Sequence, residues 1–183
     1  MHISDGEKLI LLMLSDLHDK LEVESELDPE FIRSAILKEK TWGIPWKYPG
    51  IQFEDKSAPV ELSQVLDILD MWTSVEHSYA QLNSEEKAYV HEQAKPFGND
   101  PKFKGFDGNN ETEYMSIAYF LINDLDRFTN FKGRGLNSHV PSMETYSRMT
   151  ATFKKIVDKT SSFQLSKEDL AKVLKEKIHP ENR

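Results

Sequence analysis

Basic side chains cluster in one glycine-containing segment, and their types could hold an anion. The window 127–143 contains no acidic residue, although the chain as a whole carries a net charge of −8. Its basic residues flank Gly133 and precede a helix that Pro141 is predicted to start. Backbone N–H groups and the positive end of a helix favour phosphate or carboxylate at such a place. The sequence therefore predicts a small-anion site that includes Arg127, Lys132, Arg134 and His139.

One more polar residue joins this site through helical spacing. Asn123 lies four residues before Arg127, so both side chains share one helix face near its carboxyl end. A purely structural interpretation is open as well, because an Arg at a helix end also interacts favourably with the last carbonyls.

Recognisable catalytic motifs are missing from the chain. His91-Glu92 resembles the start of a zinc-protease motif, but Lys95 stands where that motif needs its second His. There is no phosphate-binding P-loop and no Gly-x-Ser-x-Gly, and without cysteine there is no thiol nucleophile. His139 and Glu144 are the one nearby acid–base pair that we would nominate. No catalytic residue and no cofactor is predicted.

The segment from Asp107 to Glu111 begins like a calcium loop. Thr112 stands where an EF-hand needs glycine for its turn, and Ala118 stands where it needs a closing Glu. The cage therefore cannot form, and no metal site is predicted. We expect a helix start instead, with Asp107 or Asn110 as the cap and Glu111 in the first turn.

Helical spacing recurs along the chain, whereas alternating strand patterns are nearly absent. We therefore predict an all-α, compact helical bundle of about seven helices in one domain, residues 1–183, with a central buried helix near 110–128. The segment 42–50 contains two prolines and two glycines, so we predict an aromatic loop that folds back on the core. Predicted helix caps are Ser4, Asp28, Ser84 and Ser166. An apolar stripe on the first helix comprises Ile10, Met13, Leu14, Leu17 and Leu21.

Composition restricts the class of protein. The chain has 183 residues, no cysteine and a pI near 5.3. An acidic surface repels phosphate backbones, so no direct nucleic-acid partner is expected. The longest wholly apolar run, residues 9–14, is too short for a membrane span, and no membrane partner is expected. We expect a cytoplasmic protein.

The segment 103–150 carries a family resemblance. Gly105-Phe106-Asp107, the run Arg127-Phe128-Thr129 and the residues that follow resemble the YfbU family of bacterial proteins. The resemblance extends to "EKLILLMLSDL" and "VLDILDMW" and implies one helical domain, a cytosolic location and no settled activity. Relatives that carry a helix-turn-helix domain suggest ligand sensing or regulation. The matching polar residues cluster around the predicted anion site and add Asn137 and Arg148 to it.

Three functions follow, in order of preference. The first is a non-enzymatic regulatory or ligand-binding module that holds a small anion or an acidic segment of a partner. The second is a structural interaction protein that forms a homo-oligomer, with the aromatic loop 42–48 at its interface. The third is a hydrolase-type enzyme without a recognisable motif.

Overall fold

The computed structural model describes residues 3–54 and 58–182, and this part of the chain is helical without a strand. The all-α prediction is confirmed, and the eight α-helices in these ranges stand close to the seven expected. No helix in the described part is long and apolar enough to cross a membrane. The helices are α1 Asp5–Lys20, α2 Pro29–Leu37, α3 Ile44–Lys47, α4 Val60–Gln81, α5 Ser84–Gln93, α6 Thr112–Tyr119, α7 Met143–Thr160 and α8 Lys167–Lys175.

Local capping chemistry sets most helix starts. Ser4, Asp28 and Ser166 each accept a backbone N–H at the start of α1, α2 and α8, as predicted. The cap predicted at Ser84 is wrong by one residue, because the Asn83 side chain accepts the N–H that begins α5. Both residue types cap helices well, so the sequence alone could not choose between them.

The chain divides into two compact units. Unit 1 comprises Met1–Val60 and Tyr119–Thr129, and unit 2 comprises Glu61–Ala118 and Asn130–Arg183. The core of unit 1 includes Phe31, Ala35, Trp42, Ile44 and Phe120. The core of unit 2 includes Leu69, Trp72, Phe106, Phe131 and Met149. One domain over residues 1–183 stays a prediction.

The aromatic segment of unit 1 is more regular than predicted. A 3₁₀ turn at Thr41–Gly43 leads into the short helix α3, where a loop was expected. Pro45 is compatible with α3 because it lies in the first turn, where its missing N–H has no intrahelical partner. Trp42 is buried, with its ring centroid 5.4 Å from that of Phe120, so the segment does fold back on the core.

The apolar stripe of α1 does not face a core. A stripe with this spacing normally packs inward, yet Ser15 is the only buried residue of this helix, all of which the structure describes. The stripe residues are 52–70% exposed: Ile10, Met13, Leu14, Leu17 and Leu21. The amphipathic pattern is real, but its apolar side lies at the surface.

The predicted central helix near 110–128 is shorter and changes type. Helix α6 ends at Tyr119 and continues as a π-helix over Phe120–Asp124. Residues 117–118 and 120–122 are buried, which confirms the predicted burial. The last predicted turn, residues 125–128, is not helical, and Asp126 and Phe128 there have positive φ angles.

Candidate functional site

Unit 1 contains a polar cavity of ≈ 440 Å³, a volume suited to a small molecule. Helix α2, helix α3 and the π-helix supply its walls. Most lining side chains carry a charge or a hydrogen-bonding group, which indicates a polar occupant. The lining residues are Asp28, Glu30, Phe31, Ser34, Lys38, Lys47, Tyr119, Asn123, Asp124 and Asp126.

The π-helix positions two of these polar residues at the cavity. Its wider turn is marked by the N–H of Leu125, which donates to the Phe120 carbonyl five residues earlier, at 3.0 Å. Phe120 is fully buried and fixes the apolar side of this turn. Asn123 and Asp124 line the cavity as a result. Single π-turns within helices are rare overall, but those that occur are often found at functional sites.

Asp124 organises one side of the cavity. Its carboxylate accepts a hydrogen bond from the Ser34 hydroxyl at 2.5 Å and from Lys38 Nζ at 2.7 and 2.8 Å. The Lys38 ammonium also lies 5.1 Å from the centre of the Tyr119 ring. Ser34 and Lys38 are four residues apart on α2, so both reach the same carboxylate.

Asp28 forms a second ion pair at the cavity. Its carboxylate accepts the Phe31 N–H at 3.0 Å, which caps α2, and accepts Lys47 Nζ at 2.8 Å. Burial alone would raise the pKa of Asp28, but the bonds from Lys47 and Phe31 outweigh it and lower the pKa. The Lys47 ammonium lies 4.3 Å from the Phe31 ring centre. The Asp28 carboxylate is therefore ionised at neutral pH.

The lining charges favour a cationic ligand. Four carboxylates (Asp28, Glu30, Asp124 and Asp126) face two ammonium groups, which gives 2 − 4 = −2 for the cavity. Both ammonium groups donate to carboxylates of the cavity itself, Lys38 to Asp124 and Lys47 to Asp28. The other two acids, Glu30 and Asp126, are exposed. Within the described ranges, no three His, Asp or Glu side chains are placed to hold a metal ion.

The predicted anion-site residues are divided between the two units. Asn123 and Arg127 belong to unit 1, and the other five residues belong to unit 2. Asn123 lines the cavity and donates its side-chain amide to the Tyr119 carbonyl at 3.1 Å. The Arg127 guanidinium lies 4.9 Å from the ring centre of Trp46, an arrangement typical of a cation–π contact.

The two arginines of unit 2 contact acidic or carbonyl oxygens of the chain. Arg134 binds both oxygens of Glu76, at 2.8 and 2.9 Å, and this bond raises the pKa of Arg134. Arg148 donates to the Glu144 carboxylate at 2.6 Å and to the Glu176 carbonyl at 3.2 Å. Each guanidinium thus has a structural partner that the sequence alone did not indicate.

The remaining three residues lie in the loop before α7. The Asn137 side-chain oxygen accepts the N–H groups of Gly108 and His139, at 3.0 and 2.9 Å. His139 is exposed with a φ of 58°, and its charge contributes to lowering the pKa of Asp107 after the hydrogen bonds from Asn110 and Asn109. Lys132 is exposed. Asn137 therefore shapes the loop.

Glu111, in unit 2, has a different position and role from those predicted from the sequence. It was expected to be a first-turn acid of α6, but it is buried at 7% exposure. Its carboxylate accepts the N–H groups of Asp107, Ser142 and Met143 at 2.7–2.8 Å, and the Ser142 hydroxyl at 2.7 Å. Glu111 thus caps α7, which begins without a side-chain cap of its own.

The electrostatics of Glu111 match that capping role. Burial alone would raise its pKa, but the N–H groups of Asp107 and Met143 and both donors of Ser142 outweigh burial and lower it. The carboxylate is therefore ionised at neutral pH and complements the positive end of α7. The sequence offered no signal for this role, because Ser142 stands at the cap position and is itself a good cap residue, yet its hydroxyl donates to Glu111 instead. Helix α7 also begins at Met143 rather than at the predicted Pro141.

Comparisons with known proteins give one consistent result. A family model described as YfbU domain matches residues 1–176, a range that includes parts of both units. A UPF0304 protein from Methanocaldococcus jannaschii is 32% identical to this chain over 179 residues, which is 94% of this chain and 98% of that protein. That relative is archaeal, and a bacterial origin of this chain stays a prediction.

Proposed function

The chain belongs to the YfbU family, and from this premise we propose that it is a non-enzymatic binding module for a small, amine-bearing molecule. The ligand site is the polar cavity of unit 1. The observation that carries the proposal is a π-helix that places Asn123 and Asp124 at a cavity with a charge of −2. A compact cation with several N–H donors matches a lining in which carboxylates outnumber ammonium groups.

The arrangement of the lining favours binding over catalysis. The Ser34 hydroxyl donates a hydrogen bond to Asp124, and Lys38 donates to the same carboxylate. A serine nucleophile needs a neighbouring base that is oriented to take its proton; an Asp carboxylate held by Lys38 is a weak base, and no His is among the described lining residues. The ion pairs instead present fixed donors and acceptors to a ligand.

A thermal-shift series tests the proposal. The compounds are putrescine, spermidine, arginine, glucose and inorganic phosphate, each titrated against the wild-type protein. A ligand at about 100 times its dissociation constant adds about 2.7 kcal/mol to the unfolding free energy. For a domain of this size, that corresponds to a rise in melting temperature of roughly 5–10 °C. We expect the rise with amines and none with glucose.

Matched variants locate the site. Glu30→Gln removes one cavity charge from an exposed position of α2 and is expected to weaken amine binding at least tenfold. Asp67→Asn is the control, since it removes an acid that pairs with Lys154 in unit 2. Equal shifts in both variants, or no amine shift in the wild type, would refute the proposal.

The anion site of the basic loop stays a prediction, and the same series tests it. Lys132→Ala probes that site, and Arg134→Ala is avoided because it breaks the bidentate pair with Glu76. A phosphate shift in the wild type that disappears in Lys132→Ala would favour the anion site over the amine cavity.

A further inference from the structure

Helix α1 carries an uncovered apolar surface that the binding function does not explain. We define the α1 apolar face as Leu9, Ile10, Met13, Leu14, Leu17 and Leu21, all of which are more than half exposed. Scattered exposed apolar residues are ordinary in soluble proteins, whereas a contiguous patch of this kind marks an interaction site. None of these residues lines the polar cavity.

The opposite side of α1 is already engaged within unit 1. Arg33 of α2 contacts Asp16 at 2.6 Å and Asp19 at 3.1 Å, and Ser15 is buried on this side. With a period of 3.6 residues, Ser15 and Asp19 lie across the helix from Ile10 and Leu17. The centre of the apolar face therefore points away from α2, while Ile10 and Leu14 also border hollows that include Ile32 of α2.

The spacing of the face is that of a helix–helix seam. Ile10, Leu14, Leu17 and Leu21 follow at intervals of four, three and four residues. Such a 4-3-4 repeat keeps one narrow apolar line on a helix, which suits packing against a second helix.

The charges at the two ends of α1 complement each other in an antiparallel pair. Its first turn carries the acids Asp5 and Glu7. Its last turn carries Lys20, and the two acids near that end, Asp16 and Asp19, are already paired with Arg33. Two antiparallel copies bring each acidic first turn beside Lys20 of the other copy and also pair opposite ends of the helix dipoles. A parallel pair would place like charges together.

A notch on the face matches a protruding side chain. Gly6 lies on the same side of α1 as Ile10, and a Cβ added there would meet nothing within 4 Å among the described residues. In the antiparallel register that sets Ile10 opposite Leu17 of a second copy, Leu21 lies opposite Gly6. Leu21 is 70% exposed, the most of any residue of the face.

The surface is large enough for a dimer. Each fully exposed Leu, Ile or Met side chain offers on the order of 100 Å² to burial, so the face provides roughly 350 Å² per copy. Homodimer interfaces are about 65% apolar. If the apolar area of two such faces, roughly 700 Å², makes up that fraction, the whole interface buries roughly 1,100 Å². A biological interface should clear about 1,000 Å², and interfaces below about 1,200 Å² are typically weak, which is the range of this pair. Val23 and Leu27, 46% and 40% exposed, extend the apolar area.

We propose that two copies of this chain pair antiparallel through the α1 apolar face, with Leu21 of each copy seated at Gly6 of the other. A lipid surface fits less well, because the chain carries −8 and the acids of α1 are repelled by anionic headgroups.

Light scattering after size exclusion, at about 5–100 µM protein, tests the pairing across the range in which weak dimers dissociate. The wild type is expected to be a dimer that dissociates on dilution, and Leu14→Asp is expected to be a monomer at every concentration. Leu37→Asp is the matched control: it changes an equally apolar and exposed residue at the end of α2 and is expected to remain dimeric. A wild type that is monomeric at the highest concentration, or a dimeric Leu14→Asp, would overturn the proposal.

The register has a test of its own. Gly6→Gln places a side chain in open space in the single chain and improves helix propensity, so the helix signal in circular dichroism is retained. The dimer dissociation constant is expected to rise at least tenfold, because the introduced side chain would meet Leu21 of the other copy. An unchanged dissociation constant would overturn the antiparallel pairing. Binding to anionic vesicles by a monomeric wild type would overturn it too and assign the face to lipid.

Discussion

A single buried carboxylate, Glu111, connects the start of α6 to the start of α7. It accepts backbone N–H groups from both segments, so it satisfies donors that α7 cannot satisfy itself. Several residues that carry the family resemblance lie in this region. Asp107, Glu111 and the loop around Asn137 are joined by hydrogen bonds. Part of the resemblance over 103–150 thus reflects the architecture of unit 2.

Glu111→Gln should destabilise the protein at neutral pH. Gln replaces one accepting oxygen with an NH₂ group, so at least one buried N–H or hydroxyl loses its partner, at a cost of about 1.5–3 kcal/mol. Urea unfolding at pH 7 measures the difference. Glu85→Gln changes an exposed acid in the first turn of α5 and should stay within about 0.5 kcal/mol of wild type.

The effect of Glu111→Gln should depend on pH. Because the folded protein lowers the pKa of Glu111, its contribution is full above the unfolded pKa and is lost as the pH falls through the folded pKa. The difference between wild type and variant should therefore shrink as the pH falls below about 4. A difference that grows on acidification would contradict an ionised cap.

Arg134→Ala should lower stability through its partner. The variant leaves the Glu76 carboxylate without its bidentate counter-ion. That side chain is only 9% exposed and also accepts the Phe103 N–H. A loss of about 1–3 kcal/mol is expected in thermal or urea unfolding. Lys155→Ala, at an exposed position of α7, should change stability by less than about 0.5 kcal/mol. Equal effects of the two variants would show that the Glu76 pair is not the cause.

At the level of helices, the sequence predicted what local chemistry determines. The caps at Ser4, Asp28 and Ser166 depend on residues within one turn, and they were correct. The π-helix was not predicted, because it depends on packing of Phe120 against residues far earlier in the chain, such as Trp42. The exposure of the α1 stripe has the same cause: periodicity identifies an apolar face but not its partner.

Gly43→Ala should disturb the π-helix. An added Cβ would lie 2.5 Å from Phe120 Cε1 and 3.4 Å from Leu125 Cδ1, both held by the turn that supports the cavity. Overpacking of this kind costs about 1–3 kcal/mol, which urea unfolding would detect. Gly50→Ala is the control, since its Cβ would meet nothing within 4 Å in the described part of the chain. If the two variants are equally stable, the close packing at Gly43 does not contribute to the stability of the protein.

At the level of the whole molecule, helical periodicity predicted the all-α class, whereas charge pointed to residues other than most of those at the proposed cavity. The sequence drew attention to basic residues because they interrupt an acidic chain, and only Asn123 of the predicted set lines the polar cavity. The cavity could not be read from the sequence, because its walls come from α2, α3 and the π-helix, and the Ser34–Asp124 contact alone spans 90 residues. Residues that pair across so many positions of the chain leave no recognisable motif in the sequence.

The proposed amine-binding function and the proposed α1 pairing use different surfaces of unit 1. Leu14→Asp leaves the cavity lining intact, and Glu30→Gln leaves the α1 apolar face intact. A monomeric Leu14→Asp that still binds amines would show that the two properties are independent.

The most direct test of the central claim is a calorimetric titration of the wild-type protein with spermidine at low and high salt. We expect saturable binding with one site per chain, weakened by salt because the cavity carries −2, and at least tenfold weaker in Glu30→Gln. Absence of saturable binding by spermidine, putrescine and arginine at low salt would contradict the account.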